Sequence, residues 1–214
     1  MKEEKIIIGI DPDINVLSLA IVWPRKENHI FFCRNKYSDS SSAVDKLATA
    51  SHYISDVCQY LCRFRFDPNA VELFVEHQNM QHAAKAKTGR TQDMITQAHL
   101  SGLWIGTLVR LFCFKPIQIH NVMAITWKGN QPKRINQART LDYLEILYEM
   151  SQGKDPYPKP SSPDIQRMCL YSPEQPNPGD FKDINDSLGL AVHGHKTHNR
   201  HNAHRLVRHK DYEA

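Results

Sequence analysis

Four carboxylates in three separated stretches could do chemistry together: Asp11 in IIIGIDPD, Glu76 in VELFVEH, and Asp183 with Asp186 in DINDSLGLAV. Asp11 follows a run of isoleucines that reads as a buried strand, and Glu76 ends a second apolar run in the same way. Side chains alternate along a strand, so Asp11 and Asp13 lean to one side while Ile10 points into the core. Asp183 and Asp186 are three residues apart, one helical turn, and share a face. Oxygen donors from several elements suit a hard divalent cation such as Mg²⁺. Two such ions about 3.5 to 4 Å apart can activate water and stabilise a departing phosphate-ester oxygen. Four acids gathered without a cation would repel one another and push their pKa values up. Taken singly, each acid has a plainer role. Asp11 could shape a turn, Glu76 could cap the following loop, and Asp183 with Asp186 could serve the positive end of a helix.

Whether the acids meet depends on the elements that carry them. Residues 5–10, 16–23 and 29–35 read as three strands joined by turns at Pro12-Asp13-Ile14-Asn15 and at 24–28, the pattern of an antiparallel meander. The serines of SDSSS offer caps for a helix over 43–66, which Asp67-Pro68-Asn69 ends. Residues 71–76 form a compact buried strand, and a polar, basic loop leads to a second long helix over about 91–114. A short strand at 116–120 follows. WKGNQPK reads as a loop, with Pro132 in the first turn of a third helix that runs to about residue 150. Prolines 156, 158, 160, 163, 173, 176 and 178 mark residues 151–180 as a surface excursion rather than a domain. The helix with Asp183 and Asp186 comes next. The order βββ, α, β, α, β, α, excursion, α predicts an α/β sheet of mixed direction covered by helices. In it the first and fourth strands are neighbours, and the closing helix crosses their ends.

Bulk properties narrow the class. At 214 residues the chain can bury one good core. No apolar run approaches the roughly 18 to 20 residues that cross a bilayer, and MKEEKIIIG has no signal-peptide pattern. These features point to a cytoplasmic protein with no membrane contact. Cys33, Cys58, Cys62, Cys113 and Cys169 lack metal-type pairing and read as reduced thiols. The net charge of +4 is modest, but positive residues cluster at 85–90, 128–139 and 193–210. Clusters of this kind suit a phosphate-rich partner, and solvated loops and helix faces are the plain alternative.

With these residues in place, the sequence resembles the RuvC-like Holliday junction resolvases of the ribonuclease H-like nucleases. The resemblance covers most of the chain apart from the excursion and the extreme tail, and it suggests a viral or diverged branch. Gly9-Ile10-Asp11-Pro12 matches the family's GxDP turn, Glu76 in FVEHQ its second acid, and Asp183-Ile-Asn-Asp186-Ser-Leu-Gly-Leu-Ala its DxxD helix. Lys133, four residues after Gly129, matches a lysine that works near the scissile phosphate. Two positions depart from the pattern. Asp13 stands where bacterial members commonly have glycine, and a further basic position falls on Val122, leaving Lys128 to supply charge.

The resemblance implies a ribonuclease H-like fold with a mixed five-stranded sheet flanked by helices. It implies a crossover junction endodeoxyribonuclease: a homodimer that binds a four-way DNA junction and resolves it by paired, symmetric nicks. It makes Asp11, Glu76, Asp183 and Asp186 the ligands of two Mg²⁺ ions per site, with Mn²⁺ as the alternative, and Lys133 electrostatic help in catalysis. A two-fold dimer presents two identical sites to a pseudo-two-fold junction, and phosphate neutralisation provides most of the affinity. Lys85, Lys87, Arg90, Lys128, Lys133 and Arg134 are the candidate DNA contacts. The domain then spans 1–195, and 196–214 form a basic, histidine-rich tail suited to clamping DNA. The helix over 91–114 is a dimer element or a core helix, because Gly102, Trp104 and Gly106 serve either use. A less selective branched-DNA or flap nuclease and a non-cleaving junction-binding protein are the rival readings. An actin-like ATPase would need glycine-rich phosphate hairpins, which nine glycines without a second such motif do not supply.

Overall fold

The computed structural model describes residues 5–13, 16–22, 30–36, 42–62, 67–77, 89–112, 117–132, 135–136, 138–140, 142–143 and 181–198. Strands β1 (Ile6–Pro12), β2 (Val16–Val22) and β3 (Ile30–Lys36) form the antiparallel meander expected from the turn chemistry. Strand β4 (Val71–His77) pairs in parallel with β1, and β5 (Gln118–Met123) pairs in parallel with β4. One mixed sheet results, in the order β3-β2-β1-β4-β5. The mixed-direction α/β sheet with covering helices expected from the sequence is the arrangement found.

Helices α1 (Ala43–Leu61) and α2 (Gly89–Leu111) form one layer, and α4 (Phe181–His198) forms the other. Before α4 in the chain comes α3 (Ala124–Lys128), about a turn and a half that follows β5 without a loop and packs beside β5 and α4. A reciprocal cap starts α1: the Asp45 N–H donates to Ser42 Oγ at 3.1 Å, and the Ser42 N–H donates to the Asp45 carboxylate at 3.2 Å. Such a box satisfies two helix-end donors at once. Asp67 caps the 3-10 turn Pro68–Ala70 that feeds β4 by accepting from the Asn69 N–H at 3.0 Å.

Strand alternation divides the buried residues between the two layers. Ile6, Ile8 and Ile10 of β1, Leu17, Leu19 and Ile21 of β2, and Val71, Leu73 and Val75 of β4 join Tyr53, Ile54, Val57, Leu61, Leu100 and Trp104 in one core cluster. Trp104 is fully buried there, so this part of α2 packs on the sheet, while Gly102 and Gly106 lie on its exposed side with open space around them. Removing a side chain such as Ile8 from a core of this kind costs about 2 to 5 kcal/mol. Cys58 belongs to the same core, and burial pushes its thiol up to about 12, as expected of an inert reduced cysteine.

The opposite sheet face carries Ile7, Gly9 and Asp11 from β1 and Phe74 and Glu76 from β4, and α4 lies against it. Gly9 sets the distance between them. A Cβ there would come within 2.6 Å of the Ala191 backbone nitrogen and closer still to the Ser187 carbonyl, so only glycine lets helix and strand backbones approach this far. The approach brings the Ser187 hydroxyl to the Asp11 N–H at 3.3 Å and into a short hydrogen bond with Ser18 of β2.

Three element boundaries differ from the sequence expectation. β1 runs through Asp11 and Pro12, because Asp11 and Pro12 pair with Ser18 and Leu17 of β2. WKGNQPK, expected to be a loop, begins with the last residues of α3. α4 continues through His198, past the expected tail boundary at 195, because His195 is buried at 2% exposure and bonded to Tyr143 at 2.9 Å. Residues 135–136, 138–140 and 142–143 are helical and follow a turn at Pro132, whose carbonyl accepts from the Ile135 N–H at 2.9 Å. The excursion at 151–180, residues 144–150 of the expected third helix and the tail beyond His198 lie outside the described residues. Among the described residues, no helix is long and apolar enough to cross a membrane.

Candidate active site

The parallel pairing of β1 with β4 sets Ile10 opposite Val75, which places Asp11 and Glu76 next to each other at the same end of adjacent strands. Asp186 comes from α4, one residue before the serine that contacts Asp11. All three carboxylates are buried, at 8%, 6% and 7% exposure. Three acids far apart in sequence thus meet under α4, as their positions at strand ends and on a helix face require.

Among the described residues, Lys128 brings positive charge to this cluster. Lys128 Nζ lies 3.1 Å from Glu76 Oε2 and 3.4 Å from Asp186 Oδ2. Burial alone would lower its pKa, but Glu76, Asp186 and Asp11 together outweigh that effect and raise it, so Lys128 stays charged. Asp11 responds in the opposite sense. Burial, then repulsion from Glu76, Asp186 and exposed Asp13, hold its carboxyl well above the usual carboxylate range, and Lys128 offsets only part of this.

Trp127 fixes the second acid. Its indole N–H donates to Glu76 Oε2 at 3.0 Å, the same oxygen that Lys128 approaches. The ring rests on Gly189 of α4, where a Cβ would stand 2.3 Å from ring carbon Cζ3, and the Lys128 ammonium lies 4.5 Å from the ring centroid. Gly129, with φ at 63°, ends α3 immediately after this pair. From sequence, Trp127 reads as packing or a base-stacking platform. The structure shows it packed and also donating to an acid. The signal was a tryptophan beside lysine ahead of a glycine, and it became readable only once β5 set α3 beside the end of β4.

Other expected site residues fall in different places. Asp183 lies on α4, one turn before Asp186, and its side chain is not among those described. Arg90 lies in the first turn of α2 with its side chain likewise undescribed, and Lys85, Lys87, Lys133 and Arg134 lie outside the described residues. Val122 is buried opposite Glu76 in the β4–β5 register and carries no charge into the site. His77 is exposed at the end of β4. One acid was not foreseen: Glu72, 1% exposed, pairs with His120 Nε2 at 2.9 Å, away from the cluster on the same sheet face.

A buried, oxygen-only donor set in which burial and then repulsion already raise Asp11 is chemically suited to a hard divalent cation. Among the described residues, no three acidic, histidine or cysteine side chains are gathered tightly enough to enclose one as they stand. Lys128 supplies the compensating charge in this arrangement.

No family model and no curated protein sequence matches the chain. Solved structures similar to it at low identity include two RuvC structures and a yeast resolvase. Thermus thermophilus RuvC in complex with a Holliday junction substrate is 16% identical, with 91% of this chain and 96% of that one covered and a TM-score of 0.47. A second Thermus thermophilus RuvC structure is 15% identical, with 90% and 94% covered and a TM-score of 0.45. The yeast mitochondrial Holliday junction resolvase Ydc2 is 8% identical, with 94% and 85% covered and a TM-score of 0.38.

Proposed function

We propose that the chain is a metal-dependent, structure-selective DNA endonuclease that resolves four-way junctions by paired nicks. The observation that carries this reading is the meeting of Asp11, Glu76 and Asp186 under α4, with Lys128 held between two of them. It supports reading the GxDP turn of Asp11 and the DxxD helix of Asp186 as parts of one site, as the resemblance to junction resolvases implies.

Asp11, Glu76, Asp183 and Asp186 would hold the cations, two Mg²⁺ ions or Mn²⁺ in their place. When bound, these ions supply an activated water and stabilise the departing oxygen. The chain's own groups do the positioning. Ser187 holds the Asp11 backbone against α4, and Trp127 fixes the orientation of Glu76, as outer partners of ligating carboxylates commonly do. Lys128 and Lys133 bring positive charge to the developing negative charge on the phosphate. A homodimer would present two such sites to the two-fold symmetric junction and so pair the nicks.

Cleavage of labelled junction, flap and linear duplex side by side tests the reading. Symmetric nicks confined to the junction are expected. Equal cutting of all three would make the protein a general branch nuclease, and binding without cutting would make it a junction-binding protein.

A further inference from the structure

Beside the acid cluster, a cavity of about 420 Å³ opens between α3, the turn that follows it, the helical residues 136–140 and α4. Its polar lining includes Lys128, Asn130, Gln131, Asn136, Arg139 and Lys196. Among the described residues, no carboxylate lines it. Trp127 and Lys128 belong both to this cavity and to the acid cluster, so the two are continuous.

Two further cations, Arg139 and Lys196, line the cavity. Among the described residues, neither Arg139 nor Lys196 forms an ion pair within 4 Å. Lys196 is held in place by an aromatic ring, its ammonium 4.3 Å from the Tyr143 centroid. Tyr143 is itself fixed by its bond to His195 at 2.9 Å. Burial and the nearby Arg139 charge lower the Lys196 pKa, and Asp142 opposes them only in part. Like charges kept together over a cavity are stabilised by an anion between them. The Asn130 and Gln131 side-chain amides in the lining add donors that suit phosphate oxygens, while the Asn136 amide donates to the Gln131 carbonyl at 3.3 Å.

We infer that this cavity is a phosphate-binding subsite for the nucleic-acid strand on one side of the scissile phosphodiester, with Lys196 and Arg139 as its charged contacts. The inference rests on the nuclease reading and deepens it. A strand laid across the acids would place a flanking phosphate here, so the subsite would fix which phosphodiester reaches the acids.

The test uses the full chain and a fluorescent four-way junction in EDTA, with affinity measured over a series of salt concentrations. Lys196→Met and Arg139→Gln are each expected to weaken binding about fivefold to tenfold, and to reduce the log-log salt slope by about one. Lys196→Arg keeps the charge and is expected to retain the wild-type slope, which separates phosphate contact from misfolding. Arg110→Gln, on exposed α2 far from the cavity, is expected to change neither quantity. With Mg²⁺, the cavity variants should raise KM for junction cleavage more than they lower kcat. Wild-type slopes in both cavity variants, with metal-dependent cleavage intact, would overturn the subsite and leave the nuclease reading standing. Failure of the wild type to bind junction DNA would overturn both.

Discussion

Lys128 Nζ stands 3.1 Å from the Glu76 carboxylate, and its second contact, at 3.4 Å, reaches Asp186. Lys128 thus offsets part of the negative charge of three buried acids. Replacing it with methionine would leave those acids uncompensated. Because the Lys128 side chain is 22% exposed, the loss should fall below the full cost of breaking a buried pair, at about 2 kcal/mol. Urea unfolding in EDTA measures it. Added Mg²⁺ should then raise the melting temperature of Lys128→Met more than that of the wild type. Equal stability of the two proteins in EDTA would show that the lysine does not hold the cluster.

Asp11 makes a prediction about pH. Its folded pKa lies above the ordinary 3.8 because burial and neighbouring acids disfavour the charged form. The folded state therefore holds this proton more tightly than the unfolded state, and the wild type loses stability as pH rises from 3.8 through the raised value. Asp11→Asn carries no such charge. In EDTA its melting temperature should exceed that of the wild type by a few degrees at neutral pH, and the gap should close below pH 3.8. A variant less stable than the wild type at neutral pH would contradict the assignment of strain to this carboxylate.

Trp127→Phe removes the N–H that Glu76 accepts together with the outer ring carbons that rest on Gly189. The expected stability cost is about 1 to 3 kcal/mol, the lost hydrogen bond plus the lost packing. Cleavage should fall about tenfold or more, as when an outer partner of a ligating group is lost. Unchanged cleavage would reduce Trp127 to a packing residue.

Two glycines should answer a common substitution with opposite signs. Gly9→Ala drives a Cβ into the Ser187 and Ala191 backbone, which cannot swing aside, and should cost about 2 kcal/mol or more. Gly102→Ala, on exposed α2 with open space around it, should gain about 0.5 to 1 kcal/mol. Urea midpoints for the pair check whether α4 and β1 are in such close contact.

Much of this arrangement can be read from sequence. Asp11 and Glu76 end apolar runs, and a parallel pairing of those runs leaves their acids side by side. Asp186 is legible from helical spacing ahead of a small, apolar stretch. Trp127 and Lys128 were harder to place, because a helix of five residues has too little periodicity to show in WKGNQPK, and its position depends on β5. The basic character of 193–198 suggests a tail, yet the Tyr143 bond and burial of His195 extend α4 through it. Glu72 was overlooked because a lone acid inside VELFVE has no local signal for the partner it finds in His120 on another strand.

The most direct test of the central claim is single-turnover cleavage of a strand-labelled four-way junction as Mg²⁺ is titrated, with the wild type, Asp11→Asn and Glu76→Gln, beside junction binding in EDTA. The account predicts symmetric nicks by the wild type only when Mg²⁺ is present, and variants that bind the junction as the wild type does without cutting it. Cleavage that persists in EDTA, or in both variants, would show that these acids are not the site of hydrolysis.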